Sequence, residues 1–208
     1  MVMLHEKILK RDDVQRDPHA LVNVNIGYGL YLEADQQFTK AEEVLRKAEA
    51  IELKQDSPSK TALAGIYTLL ADVLMDEYRT EEAVAKYKDL VENFQNVDSP
   101  KGKYKDHYAP FAVLKIGDYY AAHKQFDEGI TYIRSVHEKY PGSRTAHAAL
   151  AAIYDLQMAK GDKNSATATR QMLEKDAREH PEFAVTSMGT LTKWTVAKDG
   201  DKHHHQEK

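Results

Sequence analysis

The sequence predicts an all-α protein built from helical hairpins, and three observations carry that expectation. Apolar residues recur at spacings of three and four along nearly the whole chain, strand-type alternation is almost absent, and helix start and stop residues fall at intervals that leave paired helices. The 208 residues, 42% apolar and 30% charged with 10 Gly and 6 Pro, fit one or two globular domains and exclude collagen-like and low-complexity chains. A chain of this length buries roughly 70% of its unfolded surface, so its core needs neither metal nor crosslink. With no Cys, disulfides, thiolate catalysis and thiolate zinc sites are excluded.

In chain order, residues 3–15 place Leu4, Ile8 and Leu9 on one side and predict a helix covering the first hairpin, within an N-terminal capping segment 1–17. Asp17 before Pro18 opens a helix over 18–35, because the ring at the first helical position lacks an N–H that would be unsatisfied anyway. Thr39-Lys-Ala-Glu42 has the reciprocal pattern of a capping box and opens 39–55. A third helix is expected over 59–76, and Thr80 with Glu81 and Glu82 opens a fourth over 80–95, the acids lying where the helix dipole favours them. The fifth spans 109–123, and Asp127-Glu128 begins the sixth, 127–140. Pro141-Gly142-Ser143 is a stop followed by a fresh cap, giving helices over 144–160 and 164–180. Phe183, Val185, Met188, Leu191 and Trp194 then predict a C-terminal capping helix within 182–197. From Lys198 to Lys208 nothing apolar remains, which predicts a flexible tail.

The eight central helices form four pairs that repeat one another. Tyr28-Gly29, Leu70-Ala71, Ile116-Gly117 and Leu150-Ala151 stand at matching places on the first helices, and Ala41, Ala83 and Gly129 on the second. A small residue at each place lets the paired helices approach, while large apolar residues fill the space between neighbouring hairpins. One hairpin cannot bury that face alone, so copies stack. The run Ile116-Gly117, Tyr120, Phe126, Gly129, Ile133, Val136 and Pro141 resembles the tetratricopeptide repeat (TPR) family, and the resemblance covers about 23–181. It implies a right-handed α-solenoid of about four TPR-like hairpins over 18–181, flanked by the two caps. The Trp that often opens such a unit is absent, with Asn25, Tyr67, Val113 and His147 in its place.

No constellation of catalytic residues emerges. Gly27-Tyr-Gly29 has Leu32 where a dinucleotide fingerprint needs its third Gly, and no strand precedes it. Ser135 and His137 read as helix surface, and the carboxylates are spaced four from Lys or Arg (Glu42 and Arg46, Glu82 and Lys86) as in surface ion pairs. His147 reads as a packed histidine, and Tyr119, Tyr120, Tyr132 and Tyr140 as hairpin packing. His203-His204-His205 is a native tail or tag remnant without preset metal geometry. No enzyme activity, cofactor or metal is expected.

The resemblance implies a function instead. In that family the first helices of the hairpins line a groove for a peptide or partner helix. Carried over by position, the groove takes Ile26, Leu30 and Glu33 from the first unit and Asp72, Met75 and Asp76 from the second. The third gives Phe111, Leu114 and Asp118, and the fourth Asp155 and Leu156. The surface so implied is apolar and acidic, suited to a protein segment with basic and hydrophobic residues, and the chain is expected to be a non-catalytic interaction scaffold. The alternatives are a bacterial cell-envelope assembly factor, since Glu138-Lys-Tyr-Pro-Gly-Ser143 looks like bacterial repeat lipoproteins, and an RNA contact through Lys101, Lys103, Lys105, Tyr104, His107 and Tyr108. A net charge of -4 with dispersed cations argues against general nucleic-acid binding, and no apolar run approaches the ~20 residues of a membrane helix. No signal peptide is visible, so the expected location is cytoplasmic, or periplasmic if a signal has been removed. Homo-oligomerisation stays open.

Overall fold

A computed structural model describes residues 2–97 and 108–183 of the chain. The expected cap beyond Phe183, the tail with His203–His205, and residues 101–107 of the basic loop lie outside the described residues. Among these the protein is all-helical: α1 (Val2–Leu9), α2 (Asp12–Arg16), α3 (Pro18–Ala34), α4 (Phe38–Leu53), α5 (Lys60–Asp76), α6 (Thr80–Asn93), α7 (Tyr108–Ala122), α8 (Phe126–Lys139), α9 (Arg144–Lys160) and α10 (Lys163–Glu179), then a 3-10 turn at Pro181–Phe183. The eight helices from α3 onward agree with expectation to within two residues at each end.

Local chemistry fixes the helix starts. The Asp17 carboxylate accepts the N–H groups of His19 and Ala20 with Pro18 at the first helical position. Ser59, Ser143 and Asp162 each accept an N–H three residues on, from Ala62, Ala146 and Ser165. The capping box expected at Thr39 and Glu42 does not form. The hairpin turn puts Gln37 at the N-cap with no side-chain bond, Thr39 Oγ1 donates to Glu77, and Glu42 accepts from Arg46 and Arg79. The expected single N-terminal helix is likewise broken after Leu9. Arg11 is ion-paired to Asp13, Asp12 and Asp13 supply acids to a new first turn, and the Gln15 amide donates to the Leu9 carbonyl at the end of α1.

One turn recurs four times. Gln36, Tyr78, Lys124 and Gly161 each have a left-handed backbone, with φ of 58°, 61°, 57° and 86°. The next residue's N–H closes back five positions: Gln37 to Leu32, Arg79 to Leu74, Gln125 to Tyr120 and Asp162 to Gln157, each at 2.9 Å. These are the bonds of a Schellman helix end. Four residues further on, Ala41, Ala83, Gly129 and Ala166 make the first backbone bond of the following helix.

Contacts divide the chain into two compact units, Met1–Tyr119 and Tyr120–Lys208. In the first, α1 and α2 cover α3, and α3 through α6 pack in sequence, with α3 also meeting α5. Its core joins Val22, Tyr28, Leu32 and Leu45 of the first hairpin to Ile66, Leu69, Leu70 and Val73 of α5. A Cβ at Gly29 would stand 2.6 Å from Leu45, so the small residue there is what brings α3 and α4 together. The Arg79 guanidinium ties the hairpins at their surface, bridging Glu42 of α4, Glu77 and Glu82. In the second unit α9 lies between α8 and α10 and is buried along Thr145–Ile153. The 3-10 turn folds back so that the Phe183 ring meets His147, His180 and the Arg144 guanidinium.

Candidate partner-binding surface

The recurring turn supplies a structural register. Counting back three residues from Leu32, Leu74, Tyr120 and Gln157, the residues whose carbonyls close each turn, reaches Gly29, Ala71, Gly117 and Tyr154. The first three are the small residues of the sequence pattern. The fourth is not Ala151, so the sequence alignment of the last hairpin is displaced by three positions. The cause is chemical: α9 carries Ala at 146, 148, 149, 151 and 152, and a small side chain there does not mark the register as it does elsewhere.

This shift accounts for Leu156. It is 1% exposed, and its Cδ1 lies 3.1 Å from where a Cβ on Gly129 of α8 would stand. It belongs to the packing of α8 on α9, not to a partner surface. Asp155 is partly exposed and takes the place that follows the small residue, where the earlier hairpins have Leu30, Asp72 and Asp118. Met158, 45% exposed, stands where Glu33 and Met75 do. Sequence reasoning missed Met158, and the three-residue displacement is the signal that finds it.

The other residues named from the sequence lie in the first unit, on α3, α5 and α7. Ile26, Leu30 and Glu33 of α3, Asp72 and Met75 of α5, and Phe111, Leu114 and Asp118 of α7 are all partly exposed, and Asp76 is exposed. The neighbouring positions Ile66, Leu70, Val73, Val113 and Ile116 are buried. Each of these helices therefore buries most of its large aliphatic residues and leaves a mixed apolar and acidic set partly exposed, with Ile26 and Leu30 still packed against the core of the first unit.

Beneath that set lies Tyr87 of α6, which is 1% exposed. Its hydroxyl donates to Asp72 Oδ1 at 2.6 Å, and its ring meets Phe111 edge-on at 6.2 Å. Burial pushes the phenol well above its usual range, and the charges of Asp72, Asp76 and Asp118 push it further. Asp72 takes the hydrogen bond, and Asp76 and Asp118 act on the hydroxyl through their charge. The phenol stays protonated as a donor that orients Asp72.

Elsewhere the sequence candidates separate. Ser135 Oγ donates to the Tyr132 carbonyl, while His137 Nδ1 lies 3.2 Å from the Ala146 carbonyl, so the two share no site. His147 is buried, with Nδ1 2.6 Å from Asp176 Oδ2. Among the described residues no group of three or more His, Asp or Glu could hold a metal, and no helix is long and apolar enough to cross a membrane.

The described residues define the class: an all-helical protein. No protein-family profile matches the chain, and no curated protein matches it. Among solved structures it is similar to the crystal structure of BtubC (BKLC) from P. vanneervenii, at 15% identity and a TM-score of 0.39, over 86% of this chain and 90% of that one. A similarity of that size carries no argument about family or partner.

Proposed function

We propose that the chain is a non-catalytic interaction scaffold of TPR-like hairpins that holds a peptide or partner helix against the first helices. The observation that carries this reading is the stripe of the first unit, where Ile26, Leu30, Met75, Phe111 and Leu114 stay partly exposed beside Asp72, Asp76 and Asp118 while the hairpin cores are closed. The four identical turns support the repeat itself. The partner is a protein segment with basic residues flanking hydrophobic ones. Exposed charge pairs contribute only about 0.2–1 kcal/mol each, so the carboxylates steer and orient, and the apolar side chains supply most of the affinity.

The test is a panel of fluorescein-labelled peptides that pair Lys or Arg with Leu, Phe or Trp, titrated against the protein at several salt concentrations. Binding peptides are expected to lose on-rate as salt rises. Asp72→Lys with Asp118→Lys should slow association by about tenfold and flatten that salt dependence. Association that ignores both the double substitution and the salt would reject the surface.

A further inference from the structure

We propose that the apolar and acidic stripe of the first unit takes residues 184–198 of a second copy of this chain, so that the protein associates head to tail. The inference rests on the partner-binding reading above and names its occupant. Outside the described helices, 184–198 is the longest run of the sequence without Asp or Glu, and it carries Lys193 and Lys198 beside Val185, Met188, Leu191 and Trp194. That is the complement of the stripe, where Asp72 accepts from Tyr87 with Phe111 alongside and Asp76 and Asp118 add two more acids on α5 and α7. The position of the run also matters. The described chain ends at Phe183, held by His147, His180 and Arg144, so the run starts from an anchored residue. Fifteen extended residues reach about 50 Å, enough to cross three helices spaced roughly 8–10 Å apart. Trp194 would be the anchor, with the two lysines setting register. Donor segment and acceptor face are different surfaces, so the contact is heterologous and extends into chains or closes into rings.

Trp194 is the single Trp of the sequence, which makes its fluorescence a reporter in the full chain. Sedimentation velocity and Trp emission are measured together across a concentration series at low salt. Average mass is expected to rise with concentration while emission moves to shorter wavelength in step. Asp72→Lys with Asp118→Lys should weaken association by about tenfold or more, and so should Lys193→Asp with Lys198→Asp. Combining all four substitutions in one chain should restore association, because a basic face then meets an acidic segment at every contact; a chain that had merely lost its fold would not be rescued. A monomer at every concentration overturns the proposal, whether Trp194 is exposed or sits buried on its own chain independently of dilution. A labelled peptide of the same composition in scrambled order separates the two readings. If it binds with salt sensitivity and the full chain does not associate, the head-to-tail contact fails and the scaffold reading stands. If neither occurs, both fail.

Discussion

Two glycines in similar helical settings make opposite demands on the chain. A Cβ at Gly129 would lie 2.6 Å from Tyr120 Cβ and 3.1 Å from Leu156 Cδ1, and the first of these is too close to the backbone to swing away. Gly129→Ala is therefore expected to destabilise by about 1–3 kcal/mol, the range of overpacked cores. Gly27, on α3, would meet nothing within 4 Å. There the helix interior bears only the intrinsic penalty of glycine, and Gly27→Ala should stabilise by up to about 1 kcal/mol. Urea denaturation of both variants checks the pair, and a stabilising Gly129→Ala would sink the packing account. The sequence marked Gly129 as a close-approach position because it repeats Ala41 and Ala83. It could not reveal the bond between Tyr87 and Asp72 or that between His147 and Asp176, since both join residues nearly equidistant from a turn whose centre must first be known.

The helices themselves were legible because their causes are local: apolar period, a capping side chain, an acid in the first turn. Their recurring turns were not, because three of those four turns put Gln36, Tyr78 and Lys124 at the left-handed position and only one puts a glycine, Gly161, there. A left-handed backbone costs a residue with a side chain roughly 1–2 kcal/mol. Tyr78 is 89% exposed, so little packing offsets that strain. Tyr78→Gly is expected to raise stability by about 0.5–1 kcal/mol and Gly161→Ala to lower it by about 1 kcal/mol, both read as shifts in the thermal midpoint. The alanine-rich run of α9, not its turn, displaced the sequence register there and set Leu156, which is buried, among the surface positions. At the N-terminus, local signals misled in another way. Leu4, Ile8 and Leu9 suit one continuous helix, yet Arg11, Asp12 and Asp13 are better satisfied by starting a second.

Across the whole first unit, acid sensitivity should concentrate at the Arg79 cluster. Burial pushes the Glu42 carboxyl up, but hydrogen bonds from Arg79 and Arg46 outweigh it and hold the group below its ordinary value of 4.5. A carboxyl depressed in the folded state adds stability above its unfolded value and loses that contribution as pH falls through the folded one. Stability should accordingly decline as pH drops below about 4.5, and the decline should be shallower in Glu42→Gln. Denaturant midpoints at pH 7, 5, 4 and 3 test this, and parallel profiles for the two proteins would remove Glu42 from the account. The same cluster joins α4 to the turn before α6 across 37 residues of sequence, a pairing that only the folded arrangement of hairpins discloses.

The four turns have one more consequence. Each is closed by bonds that begin and end within a ten-residue frame: 32–41, 74–83, 120–129 and 157–166. Nothing in that closure depends on which neighbour precedes or follows it. A gene carrying such a cassette can lengthen by duplication or shorten by deletion, and every copy brings along the corner it needs to fold.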